Sequence, residues 1–198
     1  MRCVTAECEL DACGNVTLRA FAYRRAGVDH CGVRSIDEVP VHEVLANLLD
    51  FRTRWIKGTA ICTSAESTTS YHVEAWPLEG RWTTENATSG VTTSYSAATQ
   101  VMKRAGAEVS RPSYPLLPTH ESVSLAFPLS LPVWGRTRDD FMPVSAERFE
   151  DEAVVLLRHR TDPHIFGSLV VNLARGHAIR FLTPMSSLQL SDLVGHKT

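Results

Sequence analysis

Hydrophobic and polar residues alternate with a period of two along most of this chain, and this pattern predicts β-strands. In the clearest example, Val123, Leu125 and Phe127 fall on one face of a strand predicted at 122–129. Many short strands separated by turn-rich segments favour a β-sandwich or a β-barrel. Further strands are predicted at 16–24, 51–63, 70–76, 153–160 and 168–183, the last with a break at Arg175-Gly176.

Two stretches instead carry the longer period of an amphipathic helix. Residues 40–50 place Val44 and Leu48 on one stripe, and Pro40 suits the first turn of a helix. The second predicted helix covers residues 97–104. We therefore expect one or two short helices among many strands.

The strand predicted at 51–63 follows the first helix directly and has a stripe of arginines. Arg52 and Arg54 share one of its faces, while Trp55 lies on the other. The alternation falters at Lys57, where we expect a β-bulge. Such a strand is either half-solvated or faces a partner, and the sequence alone favours neither interpretation.

The composition is that of an ordinary globular protein. The chain has 198 residues, of which 43% are hydrophobic and 21% charged, which is enough for a sizeable core in one domain. A formal net charge of −2 excludes a strongly basic nucleic-acid-binding protein. No apolar run reaches the roughly 18 residues of a membrane helix, and the N-terminus lacks the order of a signal peptide. We expect a chain made in a reducing compartment, with no membrane contact.

The cysteines indicate free thiols rather than a disulfide framework. Their number, five, is odd, and a closed framework needs pairs. A zinc site built on Cys3, Cys8 and Cys13 would need Cys31 with its neighbour His30 to complete it. This spacing differs from that of the usual zinc ligand pairs, so the metal interpretation is the less favoured one.

The sequence carries no motif of a catalytic site. None of the eight histidines forms the H-x-H pair of metal-dependent jelly-roll enzymes. No G-x-S-x-G, G-x-x-x-x-G-K or G-x-G-x-x-G is present. Cys62 lies inside a predicted strand, where a packed thiol is favoured over a nucleophile. We expect a protein that is not an enzyme and needs no cofactor or metal.

Three patches, taken in order, resemble the small coat protein of comoviruses and fabaviruses, which are picorna-like plant viruses. VPVHEVLANLLDFRTRWIKG is similar to that family's S-P-I-x-x-L-L-x-x-x-x-W-x-x-G segment, which precedes a long strand. HESVSLAFPLSLPVWG is similar to the family's strand G, and SLVVNLARGHAIRFLTPMS to its last strand. Order and spacing, more than any single motif, carry the resemblance.

The resemblance implies a single eight-stranded jelly-roll β-sandwich, with two four-stranded antiparallel sheets packed face to face. Residues 1–198 would form one capsid domain, with an N-terminal extension at 1–15 and a C-terminal tail at 186–198. The implied function is structural, as the small subunit of an icosahedral pseudo-T=3 shell around single-stranded RNA. The implied partners are a larger two-jelly-roll coat protein, further copies of this chain around the fivefold axis, and the genomic RNA. The implied location is the virion, and the host cytoplasm during assembly.

Basic residues near tryptophans are the candidate contacts in this scheme. Such clusters can neutralise RNA phosphates while aromatic rings stack on bases, although salt bridges between subunits and solvated rims are the commoner use of surface charge. An alternative function is a non-viral β-sandwich module that binds carbohydrate on Trp76, Trp82 and Trp134. The candidate RNA or inter-subunit contacts are Arg52, Arg54, Trp55, Lys57, Arg136 and Arg138.

Overall fold

A computed structural model describes residues 8–10, 16–18, 37–50, 53–109 and 120–197. The chain divides into two compact units, Met1–Arg34 and Ser35–Thr198. In the first unit, β1 (Cys8–Leu10) pairs antiparallel with β2 (Val16–Leu18). The metal interpretation of Cys3, Cys13, Cys31 and His30 lies outside the described residues, as does Arg52.

The second unit consists almost entirely of strands. Its described helices are the α-helix α1 (Val41–Leu49) and the 3₁₀ helices η1 (Pro77–Glu79), η2 (Glu121–Ala126) and η3 (Pro128–Ser130). Its strands are β3 (Asp37–Glu38), β4 (Thr53–Ser64), β5 (Thr68–Trp76), β6 (Arg81–Asn86), β7 (Thr92–Ser96), β8 (Val101–Arg104), β9 (Ala107–Val109), β10 (Phe141–Phe149), β11 (Glu152–His159), β12 (Phe166–Asn172), β13 (His177–Leu182) and β14 (Ser186–Lys197).

These strands form one 12-stranded antiparallel sheet in the order β3-β10-β11-β12-β13-β14-β4-β5-β6-β7-β8-β9. Within β10–β14 and again within β4–β9, each strand pairs with its neighbour along the chain. The long pairing of β14 with β4 joins the two series. The prediction of an all-β fold with few helices is confirmed.

Among the described residues, this single sheet takes the place of the two four-stranded sheets that the resemblance implies. Short hairpin turns are the physical reason. Ala105 and Gly106, for example, join β8 to β9 with φ values of 49° and 81°, the left-handed conformations of a tight hairpin turn. Such turns return each strand beside the previous one, whereas a jelly roll needs connections that cross between sheets.

Several individual elements differ from the sequence-based predictions. Residues 121–126 form the 3₁₀ helix η2 rather than a strand, and 101–104 form the strand β8 rather than the end of a helix. The tail expected at 186–198 is β14 up to Lys197, in the interior of the sheet. The predicted helix at 40–50 is confirmed as α1, and the strand predicted at 168–183 is divided in two near Arg175, as expected.

The bulge predicted at Lys57 lies in the partner strand instead. The pairing of β4 with β5 runs through Lys57 without a shift in register. The shift occurs in β14 between Ser191 and Val194, which lie opposite Thr59 and Lys57. The extra residue therefore belongs to β14.

The hydrophobic core lies on one face of the sheet, here called the inner face, which carries the buried side chains of Ile56, Trp82, Val155 and Leu169. α1 covers part of this face through Val44 and Leu48 and packs against β10, β11 and β13. η2 packs against β4, β5, β6, β13 and β14. In the part of the chain described, no helix is long and apolar enough to cross a bilayer.

Candidate binding groove

The inner face over β5–β9 is built from cross-strand rows of side chains. Trp82 lies opposite Tyr95, Tyr95 opposite Met102, and Met102 opposite Val109. Residues two positions away on each strand project from the same face, since strand side chains alternate. The next inner row therefore consists of Thr84, Thr93 and Arg104.

A groove of about 350 Å³ lies over these rows, and His120 at the start of η2 forms one of its sides. Its lining combines apolar surface with polar groups that are mostly uncharged. Mixed linings of this kind, in which a few polar groups fix the orientation of an apolar ligand, are typical of small-molecule sites. The lining residues are Tyr71, Thr84, Asn86, Ser89, Val91, Thr93, Met102, Arg104, Val109 and His120.

Two kinds of contact hold the His120 ring. His120 is the N-cap residue of η2, and its Nδ1 accepts a hydrogen bond from the backbone N–H of Ser122 at 3.4 Å. Nδ1 also lies 2.9 Å from the Ser122 hydroxyl oxygen. The imidazole packs edge-on against Tyr71, with ring centroids 5.0 Å apart, and lies 5.9 Å from the ring of Trp82. The orientation of this ring is therefore fixed by the fold.

Burial lowers the pKa of His120 below its usual value of 6.5, and the nearby charge of Arg104 lowers it further. The Glu121 carboxylate acts in the opposite direction but does not reverse the shift. At neutral pH the imidazole is therefore uncharged, and one of its nitrogens carries the single proton.

Arg104 supplies the positive charge of the groove. It ends β8 just before the hairpin turn and is exposed at the mouth of the groove. Among the residues that the structure describes, none forms a hydrogen bond or an ion pair with its side chain. An Arg guanidinium offers five N–H donors in a planar fork suited to carboxylate or phosphate.

A second groove, of about 240 Å³, lies farther along the inner face and includes Cys62 and Glu121. Burial raises the pKa of Cys62 to about 12, with the charge and hydrogen bonding of Glu121 as further causes. The thiol therefore stays protonated and is a poor nucleophile. Two hydroxyls of this groove already have partners, because Ser64 Oγ accepts from the backbone N–H of Ser67 and Ser130 Oγ donates to the carbonyl of Phe127 at 2.7 Å. This groove is the weaker candidate.

The predicted contact residues of β4 do not form one cluster. Trp55 and Lys57 share the outer face, where Trp55 Nε1 donates to Glu74 Oε1 at 2.9 Å and Lys57 lies opposite Glu74 in the register. Arg54 is exposed, and its position in the alternation places it on the other face. Trp55 and Lys57 therefore share one surface of the sheet, from which the alternation separates Arg54.

Arg136 stabilises its own loop. Its guanidinium forms an ion pair of 2.9 Å with the buried carboxylate of Asp139 and donates to the carbonyls of Leu129 and Leu131. Arg138 is exposed. Asp139 is not solvated, because only 2% of its surface is exposed. Arg136 therefore already has partners within its own loop.

The three tryptophans of the carbohydrate alternative are not arranged as platforms. Trp82 is only 1% exposed and belongs to the core. Trp134 is part-buried, and its Nε1 donates to the carbonyl of Pro128 at 2.8 Å. The guanidinium of Arg81 covers the ring of Trp76 at 3.6 Å. Stacking of a sugar on Trp82 is therefore excluded without unfolding of the sheet.

The sequence does not predict the groove. Lys103 and Arg104 form only a small basic cluster in it, and His120 belongs to no motif. The sequence gives only an indirect indication of the groove. Adjacent residues of a strand project from opposite faces, so Lys103 and Arg104 cannot both lie on the outer face. Within the described residues, no group of three or more His, Cys, Asp or Glu side chains is placed to hold a metal ion.

No protein-family model and no curated protein matches this sequence. An uncharacterized conserved protein from Thermus thermophilus is 12% identical, with 79% of this chain and 88% of that chain aligned and a TM-score of 0.44. MucB in its complex with MucA(peri) is 12% identical, with 80% of this chain aligned and a TM-score of 0.44. The Pseudomonas aeruginosa MucA/MucB complex is 14% identical, with 79% of this chain aligned and a TM-score of 0.45. This chain spans 57% of each of those two chains. Likenesses at this level carry no conclusion about fold or function.

Proposed function

We propose that this protein binds a small amphipathic anion in the inner-face groove, without chemical conversion of the ligand. The observation that carries the proposal is Arg104, whose side chain has no partner among the described residues and lies beside an uncharged His120. Met102 and Val109 offer apolar surface next to this charge. A ligand with an anionic head and an apolar body matches both features.

The charge pattern favours an anion over a cation. Counted over the described residues, the groove lining contains one arginine and no carboxylate, so its one full charge repels an ammonium head. A carboxylate head would form a charge-assisted hydrogen bond with the Arg104 guanidinium. Because Arg104 is exposed, we expect this contribution to be modest, about 1 kcal/mol, and to weaken at high salt.

The hydroxyl nearest to His120 is not placed for nucleophilic catalysis. Ser122 Oγ lies within hydrogen-bond distance of the imidazole, but Ser122 is only 1% exposed and does not line the groove. A nucleophile must reach the reacting atom of its substrate. This arrangement supports binding rather than hydrolysis.

Three ligands with one tail test the proposal: octanoate, octanol and octylamine. Methyl signals of ¹³C-labelled methionines report the location of binding, since Met102 lines the groove while Met142 and Met185 are exposed elsewhere. We expect octanoate to shift the Met102 methyl signal with a Kd on the order of 1 mM, in keeping with about 0.3–0.4 kcal/mol per non-hydrogen atom. Octanol should bind more weakly and octylamine most weakly. Equal shifts for the three heads, or shifts confined to Met142 and Met185, would contradict the proposal.

The coat-protein function stays a separate prediction, together with its implied partners, a large coat protein and genomic RNA. The order of three sequence patches supports this prediction. The strand order of the single sheet gives it no further support. Electron microscopy of the purified chain mixed with a double jelly-roll coat protein tests it. Icosahedral particles that contain this chain would support it, and a chain that stays outside every particle would contradict it.

A further inference from the structure

Three polar side chains form a continuous hydrogen-bonded chain at the groove, and two of them, Thr84 and His120, line it. The Thr84 hydroxyl lies 3.0 Å from the Ser122 hydroxyl, which lies 2.9 Å from His120 Nδ1. Thr84 and Ser122 are each only 1% exposed. Thr84 belongs to β6 and Ser122 to η2, so the contact joins the sheet to the segment that covers it.

The direction of every hydrogen bond in this chain follows from one donor. The backbone N–H of Ser122 can only donate, and it points at His120 Nδ1. A ring that accepts this bond has no proton on Nδ1, and the Ser122 hydroxyl, 2.9 Å from Nδ1, then donates its own hydrogen there. The proton shared between Thr84 and Ser122 must then come from Thr84. In the uncharged ring, the remaining proton lies on Nε2.

We propose that Thr84 and Ser122 are positioning residues that hold His120 in its Nε2–H tautomer, so that the groove offers a second hydrogen-bond donor beside Arg104. This deepens the proposed function on which its ligand consequence rests. The favoured head group is one that accepts two hydrogen bonds, such as a carboxylate. A head that only donates could pair with neither group.

An N-cap alone does not account for the arrangement. Capping η2 requires only the bond from the Ser122 backbone to the ring, which is already present at 3.4 Å. The two hydroxyls are additional buried polar groups, and burial of polar groups is unfavourable unless they pair. Their shared pairing also fixes the proton position on a ring that lines the groove.

The test begins without any ligand. ¹⁵N–¹H correlation spectra of the imidazole rings distinguish the two neutral tautomers, and a His120→Gln variant assigns the His120 signals. We expect the wild-type ring to be in the Nε2–H form at neutral pH. A ring with its proton on Nδ1, or an even mixture of tautomers, would overturn the inference.

Matched variants then link the hydroxyls to the tautomer. Thr84→Val keeps the shape but removes the hydroxyl, Thr84→Ser keeps the hydroxyl, and Ser122→Ala removes the direct donor to Nδ1. We expect Thr84→Val and Ser122→Ala to produce a measurable Nδ1–H population and about threefold weaker octanoate binding, because a neutral ring with its proton on Nδ1 cannot donate from Nε2. Thr84→Ser should behave as wild type. Ser124→Ala is the control, because that hydroxyl donates to the Glu121 carbonyl rather than to the ring.

The two proposals fail in different ways. If the Nε2–H tautomer is found but octanoate does not bind, the positioning role stands and the proposed function is wrong. If octanoate binds and the ring carries its proton on Nδ1, the proposed function stands and the positioning role is wrong. Unchanged tautomer populations in both Thr84→Val and Ser122→Ala would also refute the positioning role.

Discussion

Lys103 and Arg104 are adjacent on β8 and project from opposite faces of the sheet. Arg104 lines the inner groove, whereas Lys103 lies in an outer row, opposite Ser94 on β7 and Glu108 on β9. The two side chains are both exposed and carry the same charge. They therefore form a matched pair whose main difference is the face of the sheet from which each projects.

This pair gives the first prediction. Arg104→Ala should weaken octanoate binding about fivefold, because the ligand head loses one charge-assisted contact at a partly solvated site. Lys103→Ala changes the net charge equally but should leave the affinity unchanged. Titrations of the Met102 methyl signal measure both. Equal losses in the two variants would mean that Arg104 acts only through overall charge.

A second prediction concerns Asp139. Its carboxylate accepts from the backbone N–H groups of Trp134 and Arg136 at 2.9 Å and pairs with the Arg136 side chain. Asp139→Asn should lower the free energy of unfolding by about 2 to 4 kcal/mol, since it leaves a part-buried guanidinium without its charge partner. Asp140→Asn, at an exposed neighbouring position, should have little effect. Urea denaturation at neutral pH compares them, and equal stabilities would contradict the assigned role.

The contribution of the Asp139 carboxylate to stability should depend on pH. Burial alone would raise the pKa of Asp139, but hydrogen bonds and the charge of Arg136 outweigh it and lower the pKa below 3.8. A carboxyl with a lowered pKa in the folded state stabilises the fold above its unfolded pKa and loses this effect as pH falls. The stability difference between wild type and Asp139→Asn should therefore shrink below pH 3.8. A difference that stays constant down to pH 2 would contradict this assignment.

His177 gives the third prediction. It is 3% exposed, and neither ring nitrogen has a hydrogen-bond partner among the described residues. Burial, followed by the charge of Arg175, lowers the pKa of His177 from 6.5 to about 4. Between these values the unfolded chain binds the proton more readily, so stability should fall by about 2 to 3 kcal/mol as pH drops from 6.5 to 4.

A His177→Leu variant should lose much of this pH dependence and keep or gain stability at neutral pH, because it removes two buried polar atoms. The exposed His164→Leu is its control. Some dependence should remain, since the pKa of His120 is lowered as well. The midpoints of urea denaturation between pH 4 and pH 6.5 measure this dependence for each variant. A His177→Leu variant with the full wild-type slope would contradict the assignment.

Gly167 gives the fourth prediction. A Cβ added here would lie 2.6 Å from the carbonyl oxygen of Leu182 and 3.4 Å from the ring of Phe141. Backbone of β13 must therefore move away from β12, and Gly167→Ala should destabilise the fold by about 1 to 3 kcal/mol. The neighbouring Ser168→Ala is the control. Thermal unfolding that is unchanged in Gly167→Ala would mean that the two strands separate easily.

The local pattern of the sequence predicts elements whose residues interact with close neighbours. α1 is predicted well because Pro40 begins it and Val44 and Leu48 are one turn apart on the buried stripe. β5 is predicted as a short strand at 70–76, and β11 from the apolar run at 153–160 that ends in charged residues. Residues 122–129 mislead, because Val123, Leu125 and Phe127 alternate with other residues as in a strand but are buried in η2 and its C-cap. Alternation cannot distinguish such a segment from a strand.

The sheet order and the groove depend on contacts that no local pattern contains. The pairing of β14 with β4 joins Leu190 to Ala60 across most of the chain. Thr84 and Ser122 are separated by 38 residues, and only the packing of η2 on β6 brings their hydroxyls together. Each of these residues has an ordinary local environment in the sequence. The sequence alone therefore does not place Arg104 at the inner-face groove.

The most direct test of the central claim is a cycle that varies the ligand head and the Arg104 side chain together. Kd values are measured for octanoate and octanol with the wild type and with Arg104→Ala, at one low salt concentration. If the carboxylate contacts the guanidinium, Arg104→Ala should weaken octanoate about fivefold and leave octanol nearly unchanged, a coupling of about 1 kcal/mol. Equal changes for the two ligands, or no change for either, would contradict recognition of an anion in this groove.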